Sequence, residues 1–301
     1  MLDRVKKNAP RYAASEIPFV DTQLPAINPG AVARDGRKPT IVFAHANGFP
    51  AGTYRVLFEA WRAAGYEVRA IERIGHDAAY PVTSNWPHLR QQLADFVLRE
   101  SDGPAFLVGH SLGGFLSLMV ALEHRPLAAG VVMIDSPLIY GWKARMVQLA
   151  KATGWVGQVS PGRVSRKRRD RWSDAAEVHR HFESKPAFAR WDARVLADYV
   201  ASGTVDSRGE RELAFDRAVE TAIYNTLPHH IEKLVRRAPP DCPVAFIGGT
   251  ISAEVRQVGL AATRRLTQGR MAQVEGSHLF PMERPDETAR IVLEQLEKMR
   301  G

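Results

Sequence analysis

The sequence predicts an α/β protein with a mostly parallel twisted sheet that is flanked by helices and interrupted by one mainly helical insertion. Three observations support this prediction. Apolar runs typical of buried strands alternate with helical patterns between residues 40 and 135, the order expected for parallel strands with right-handed crossovers. The alternation stops after Pro137 and resumes at Pro243. The part between them differs in composition, because it holds basic loops and four of the six tryptophans.

Each element is predicted from its local pattern. Residues 40–44 are a continuous apolar run, as in a strand covered on both faces. Residues 1–38 are rich in proline, glycine and charge, and they predict an irregular sheet edge with one short strand at 17–20. The remaining predicted elements are a helix at 53–64, a strand at 66–71, a helix at 86–100, a strand at 105–108, a helix at 115–124, strands at 131–135 and 243–247, a helix at 253–267, a strand at 270–274 and a helix at 285–299.

Length and composition predict one large core with an insertion. The chain has 301 residues, of which 45% are hydrophobic and 25% charged, and these are ordinary values for a globular protein. Since α/β folds of this length often build a single core, we expect a core domain made of residues 1–137 and 236–301. Residues 138–235 are then predicted to form a helical cap, or lid.

The charge of the chain does not predict a nucleic-acid partner. The formal net charge is +8, and much of the excess lies in the basic run at residues 163–171. No aromatic residues alternate with these basic residues, as a stacking platform for bases would need. We therefore interpret the run as a solvated loop or helix face.

Cysteine and hydropathy patterns exclude other classes of protein. Cys242 is the only cysteine, so neither an intrachain disulfide nor a multi-cysteine metal site is expected. No apolar stretch approaches the ~20 residues that span a bilayer, and residues 1–10 lack the apolar segment of a secretory signal. We expect a cytoplasmic protein without stable membrane insertion, and the sequence leaves its oligomeric state open.

A short stretch from Gly109 to Gly113 carries the strongest functional signal. It reads Gly-His-Ser-Leu-Gly, a G-x-S-x-G pattern, and it stands between an apolar strand and an apolar helix. This order predicts a sharp strand-to-helix turn that exposes Ser111 at its tip. The small residues on either side let strand and helix pass closely, and the helix N-terminus favours negative charge beside the serine.

Two further motifs stand in register with this turn, and together the three resemble α/β-hydrolases with a cap domain. The first is His45-Ala-Asn-Gly-Phe-Pro50, after the first predicted strand of the alternation, and the other is Gly276-Ser-His-Leu-Phe-Pro-Met-Glu-Arg-Pro285, after the last. The resemblance covers nearly all of the chain from Thr40 onward. It implies a serine hydrolase whose nucleophile is Ser111 and whose general base is His278.

The acid that would orient His278 stays open between two carboxylates. Many family members have an aspartate after the seventh strand, but Ser252 stands there in this chain. Asp135 follows the strand next to the nucleophile strand and is favoured, because the end of that strand is within reach of a histidine loop above the sheet. Glu254, at the start of a helix, is the alternative.

The resemblance also implies an oxyanion hole and a substrate pocket. The backbone N–H groups of Leu112 and Asn47 correspond to the two donors of the family's oxyanion hole. Six aromatic residues of the predicted cap either line an apolar pocket over Ser111 or form, for the most part, the cap's own core. They are Tyr140, Trp142, Trp155, Trp172, Trp191 and Tyr199, of which Tyr140, Trp142, Trp172 and Trp191 are the predicted substrate-binding residues.

These motifs predict a carboxylesterase that cleaves a small to medium apolar ester through an acyl-enzyme, with no cofactor and no metal. One alternative is a carbon–carbon bond hydrolase that uses the same triad. Another is a noncatalytic receptor that binds a ligand in the same pocket. Epoxide hydrolases and haloalkane dehalogenases are disfavoured, because they need a carboxylate where this chain has Ser111.

Overall fold

A six-stranded parallel sheet forms the centre of the computed structural model, which describes residues 38–141, 144–146, 148 and 162–300. The strands lie in the order β2-β1-β3-β4-β8-β9, and each neighbouring pair is parallel. Their bounds are β1 Thr40–Ala44, β2 Glu67–Ala70, β3 Ala105–His110, β4 Ala128–Ile134, β8 Val244–Gly249 and β9 Met271–Val274. The predicted fold class is confirmed, whereas the strand predicted at 17–20 lies outside the described residues.

Helices cover both faces of this sheet. Successive residues of a strand point to opposite faces, so Ile41 and Phe43 of β1 join one buried cluster and Val42 and Ala44 join the other. The first cluster includes residues of the helices at 55–63 and 285–300, and the second includes residues of the helices at 87–100 and 112–123. The helices of this core are α1 Arg55–Ala63, α2 Pro87–Glu100, α3 Leu112–Glu123, α9 Ala253–Val258, α10 Ala261–Thr267, α11 Phe280–Glu283 and α12 Pro285–Arg300, with short 3₁₀ helices at Ala51–Tyr54 and Arg125–Leu127.

The segment between β4 and β8 contains helices and a small second sheet. Its described helices are α4 Gly162–Lys167, α5 Ala175–Glu183, α6 Ala193–Gly203, α7 Arg217–Asn225 and α8 Ile231–Arg237. Three short strands form an antiparallel sheet in the order β5-β7-β6, with β5 Arg171–Trp172, β6 Thr204–Ser207 and β7 Glu210–Leu213.

The sequence patterns do not predict this second sheet. A two-residue turn at Arg208 and Gly209, both with positive φ, joins β6 to β7, as in the tight hairpins that favour glycine. The strands escape prediction because they are short and mostly polar, so they lack an apolar alternation. The domain boundaries at residues 137 and 235 stay predictions. None of the described helices is long and apolar enough to cross a membrane.

Candidate active site

Ser111 occupies a strained turn between β3 and α3. Its backbone has φ 52° and ψ −111°, a conformation that a non-glycine residue adopts at a cost. A Cβ atom on Gly109 would lie 2.2 Å from the Gly113 carbonyl oxygen, and one on Gly113 would lie 1.9 Å from the Ala44 carbonyl oxygen. Both positions therefore require glycine, because the strands and the helix pass too closely for a side chain. The turn leaves Ser111 partly exposed.

The structure brings His278 and Asp135 into direct contact. Nδ1 of His278 lies 2.7 Å from Oδ2 of Asp135, and the histidine comes from the loop between β9 and α11. The Asp135 side chain is 0% exposed, and it also accepts hydrogen bonds from the Gly249 N–H at 2.8 Å and the Ser252 hydroxyl at 2.6 Å. These donors fix the orientation of the carboxyl group toward His278. With Nδ1 donating to Asp135, Nε2 is left as the basic nitrogen of the ring.

Glu254 lies close to the same histidine without a hydrogen bond to it. Its Oε2 is 3.7 Å from Nδ1 of His278, and its side chain is 47% exposed. Asp135, Glu254 and His278 place three potential metal-ligand atoms within 4.8 Å of one another. The three residues lie together because Nδ1 of His278 donates a hydrogen bond to Asp135. Nδ1 carries the proton of this hydrogen bond and is therefore not available as a metal ligand.

Ser252 stands after β8, at the position where an aspartate is expected, and it contacts Asp135. Its hydroxyl donates to Oδ2 of Asp135 and accepts a hydrogen bond from the Val255 N–H at 3.2 Å, which caps α9. This supporting contact of Ser252 is not predicted by the sequence. A serine directly before a helix is a capping signal, but its contact with Asp135 spans 117 residues.

The pKa of His278 is raised above its ordinary value of 6.5. Burial lowers the pKa, but the hydrogen bond and the negative charge of Asp135, together with the charge of Glu254, outweigh that effect. A general base acts in its neutral form. If His278 is this base, kcat/KM therefore rises with pH through an apparent pKa above 6.5.

Replacing Glu254 by glutamine is expected to move this rising limb to lower pH, because it removes one of the charges that favour protonated His278. The measurement is kcat/KM for an ester between about pH 5 and 9. Glu67→Gln, which removes an exposed carboxylate on the edge strand β2, is the matched control and leaves the limb in place. A limb that stays fixed or moves to higher pH in Glu254→Gln would contradict this electrostatic account.

The loop after β1 lies beside the Ser111 turn. Ala44 pairs with Gly109 in the sheet, so the chain leaves β1 and β3 at neighbouring positions. Within the described part of the chain, the backbone N–H groups of Asn47 and Leu112 have no hydrogen-bond acceptor. Gly48 has φ 83° and allows the loop to turn. Two N–H groups of this kind are what an oxyanion hole needs.

A buried chain of hydrogen bonds joins this loop to the histidine loop. The Ala46 N–H donates to the Tyr54 hydroxyl at 3.2 Å, and this hydroxyl lies 2.8 Å from Nδ1 of His110. Nε2 of His110 lies 2.9 Å from the His278 carbonyl oxygen. Burial holds the pKa of His110 well below its ordinary value, so the ring is neutral: Nδ1 accepts from Tyr54 and Nε2 donates to the carbonyl. No local sequence pattern predicts this connection between Tyr54, His110 and the histidine loop.

His45 has a similar supporting contact. Nδ1 of His45 donates to the Ala46 carbonyl oxygen at 2.8 Å, and Nε2 accepts from the Ile74 N–H at 2.9 Å. Burial lowers the pKa of His45 to about 4, which agrees with the accepting role of Nε2. This histidine fixes the loop after β1 and leaves no nitrogen free for proton transfer.

The aromatic residues predicted for the cap lie in different surroundings. Trp191 is buried against Phe49, Phe188 and Tyr199, with ring centroids 4.4 to 5.7 Å apart, and Trp172 is buried against Phe182. Tyr140 is half-buried under the Arg265 guanidinium. Trp142 lies outside the described residues. Trp172 and Trp191 thus belong to an aromatic core, and Trp191 also touches Phe49 of the loop that carries Asn47.

Comparison with known proteins establishes the family. A model of the alpha/beta hydrolase family matches residues 41–291. The chain therefore belongs to the α/β-hydrolase family, and the hydrolase class follows from this membership.

Individual relatives are more distant. An uncharacterized abhydrolase domain-containing protein of Dictyostelium discoideum is 33% identical over 104 residues, which are 33% of this chain and 11% of that protein's length. The solved structure of E-2-(acetamidomethylene)succinate hydrolase is similar with a TM-score of 0.69 and 21% identity, covering 87% of this chain and 92% of the other. A thioesterase domain from the curacin biosynthetic pathway has a TM-score of 0.65 and 16% identity, covering 85% and 91%. At these identities the two structures show a shared fold only.

Proposed function

We propose that this α/β-hydrolase is a serine carboxylesterase that cleaves a small to medium ester through an acyl-enzyme. The observation that carries the proposal is the 2.7 Å hydrogen bond between His278 and buried Asp135, combined with the strained, partly exposed Ser111. In this proposal Ser111 is the nucleophile, His278 the general base and Asp135 the residue that orients it. Glu254 acts only through its charge, because it makes no hydrogen bond to the ring.

The proposed reaction has two halves. Nε2 of His278 takes the proton of Ser111, whose oxygen attacks the ester carbonyl, and the N–H groups of Leu112 and Asn47 hold the resulting oxyanion. Collapse of this intermediate expels the alcohol, which takes the proton from His278. Water then gives a proton to His278 and attacks the acyl-enzyme, and a second collapse returns the proton to Ser111 and releases the acid. No metal or cofactor enters any step.

Residues 138–235 are proposed to act as the cap of this site. Two contacts support the assignment. The Asn47 side chain donates to the backbone carbonyl oxygen of Glu220 in α7 at 3.0 Å, and Phe49 packs against Trp191 and Tyr199. Both contacts join residues of the inserted segment to the loop that carries the proposed oxyanion donor, and a lid at this position would exclude water and select substrates.

A substrate panel tests the reaction class. The panel contains short carboxylic esters, thioesters, lactones and a vinylogous diketone, which a carbon–carbon bond hydrolase cleaves. We expect turnover of the esters at rates at least about a hundredfold above that of the diketone, a gap of about 2.7 kcal/mol in transition-state free energy. Preferential cleavage of the diketone would replace the esterase proposal by carbon–carbon bond hydrolysis. Binding of panel members without any turnover would favour a noncatalytic receptor.

A further inference from the structure

A buried charged pair from the inserted segment lies directly on the proposed oxyanion loop. Nε of Arg168 is 3.4 Å from Oε2 of Glu220, and the two side chains are 21% and 6% exposed. A Cβ atom built on Gly48 would lie 2.9 Å from Oε1 of Glu220 and 3.5 Å from a terminal nitrogen of Arg168. Arg168 belongs to the basic run that the sequence analysis interpreted as solvated, so for this residue the interpretation was wrong. The pair instead packs against the residue that follows Asn47.

Several polar atoms around Gly48 are buried without a hydrogen-bond partner among the described residues. They are Oδ1 of Asn47, Nε of Arg168, Oε2 of Glu220 and the hydroxyl of Tyr199, which faces the Arg168 guanidinium and has no acceptor for its own proton. Asn47, Tyr199 and Glu220 are each more than nine-tenths buried. The ion pair does not satisfy Nε and Oε2, because its geometry is not that of a hydrogen bond. Native proteins rarely leave buried polar atoms unpaired, and four in one cluster point to a partner outside the chain.

The chemistry of the four atoms defines that partner. Two of them, on Arg168 and Tyr199, are hydrogen-bond donors, and two, on Asn47 and Glu220, are acceptors. The positive charge of Arg168 is balanced by the carboxylate of Glu220 at 3.4 Å, and this carboxylate would repel a second anion at the same place. The cluster therefore suits an uncharged group that both accepts and donates hydrogen bonds, such as an amide.

The position of the cluster connects it with the substrate. Asn47 belongs both to the proposed oxyanion hole and to the polar cluster. Its backbone N–H is the proposed oxyanion donor, while its side chain donates to the Glu220 backbone and leaves Oδ1 unpaired. Tyr199 also contacts Phe49, the second residue after Asn47. A substrate group held by the cluster would thus lie beside the ester carbonyl. It would contact the polar atoms of the cluster, next to the aromatic rings of Phe49 and Tyr199.

We infer that Arg168, Tyr199, Glu220 and the Asn47 side chain form a specificity subsite for an uncharged hydrogen-bonding group on the substrate, with an amide as the best fit. The inference rests on the proposed ester hydrolysis at Ser111 and goes beyond it, because it replaces a purely apolar substrate by an ester that carries a second polar function.

Four ethyl esters of nearly equal shape test this subsite. They are ethyl 4-amino-4-oxobutanoate, ethyl 4-oxopentanoate, ethyl 4-methylpentanoate and monoethyl succinate, which end in an amide, a ketone, an isopropyl group and a carboxylate. A second set carries the same four end groups on the alcohol side of a propanoate ester. In one of the two sets we expect kcat/KM of the amide to exceed that of the apolar ester by about tenfold or more, with the ketone between them and the carboxylate last.

Tyr199→Phe is the sharpest variant, because it removes only one buried hydroxyl, which faces Arg168 and has no acceptor for its own proton. A merely structural role predicts no change in selectivity, whereas the subsite predicts that the ratio of amide to apolar ester falls severalfold. Arg168→Met is expected to lower the same ratio. The matched control is Tyr80→Phe, which removes a hydroxyl bonded to Asp95 and leaves the ratio unchanged.

The possible failures are distinguishable. Equal hydrolysis of all four esters in both sets, an unchanged ratio in Tyr199→Phe, or a preference for the carboxylate would overturn the subsite and leave the esterase proposal intact. The absence of hydrolysis for every ester of both sets would overturn the two together.

Discussion

Replacing Ser111 by alanine is expected to lower kcat for any ester that the protein hydrolyses by about 10⁵- to 10⁶-fold. The loss is this large because, in the proposed mechanism, Ser111 supplies the oxygen that forms the acyl-enzyme, and no other hydroxyl of the described site stands at the tip of the strained turn between β3 and α3. The measurement compares initial rates for the variant and the parent protein on the fastest ester of the panel.

Ser101→Ala is the matched control for this substitution. Ser101 ends α2 and donates to the Gly103 carbonyl oxygen in a loop, so its hydroxyl has no contact with the site and the variant keeps full activity. Circular dichroism and thermal unfolding confirm that both variants are folded. A Ser111→Ala protein that is folded and retains more than about a hundredth of the activity would contradict the assignment of the nucleophile.

Replacing Asp135 by asparagine is expected to lower kcat by about 10⁴-fold. The amide cannot accept the Nδ1 proton as a carboxylate does, so it favours the wrong tautomer of His278 and leaves the imidazolium of the transition state without its counter-charge. The variant would also lose the ionic acceptor of the Gly249 N–H and the Ser252 hydroxyl. The rates are measured alongside those of Glu254→Gln on the same ester.

Glu254→Gln provides the matched comparison, because it makes the same chemical change 3.7 Å from the same Nδ1 atom. We expect it to cost less than about tenfold, since the effect of a partly exposed carboxylate on its neighbours is screened by water. The reverse order, with the larger loss in Glu254→Gln, would identify Glu254 as the orienting acid and leave Asp135 with a structural role.

The sequence predicted the sheet and the strained turn at Ser111 because both depend on local patterns. Each buried strand is a short apolar run, and the turn at Ser111 needs glycine at two fixed positions, which the Cβ distances at Gly109 and Gly113 explain. Patterns of this kind involve residues that are close together in the sequence. They predict where an element begins and what its turn exposes, and the family match over residues 41–291 agrees with them.

The choice between two carboxylates depends on contacts that no local pattern contains. Asp135 and Glu254 both stand at positions where an acid can reach His278. They differ because Gly249 and Ser252, more than a hundred residues further along the chain than Asp135, donate to that aspartate. The Tyr54–His110 connection between two loops is similarly distant in sequence. Such side-chain contacts form only when the folded sheet brings distant residues together. They cannot be predicted from the spacing of residues in the sequence.

The basic run shows the same limit. Arg169 pairs with Glu177 and Arg171 with Glu212, and all of these contacts are largely exposed, as expected for a solvated face. Arg168 directly precedes Arg169 in the sequence but turns inward to Glu220. A single residue in a run of like charges can thus belong to the interior, and only the position of its side chain reveals this.

Labelling with a fluorophosphonate, followed by mass spectrometry of the intact chain and its peptides, tests the central claim most directly. The reagent forms a stable bond with a serine only where a neighbouring base activates it and an oxyanion hole receives the phosphoryl oxygen. We predict one adduct per chain, on the peptide that contains Ser111, with labelling slowed in His278→Ala and in Asp135→Asn. A chain that remains unlabelled, or an adduct on another residue, would contradict the claim that Ser111 is an activated nucleophile.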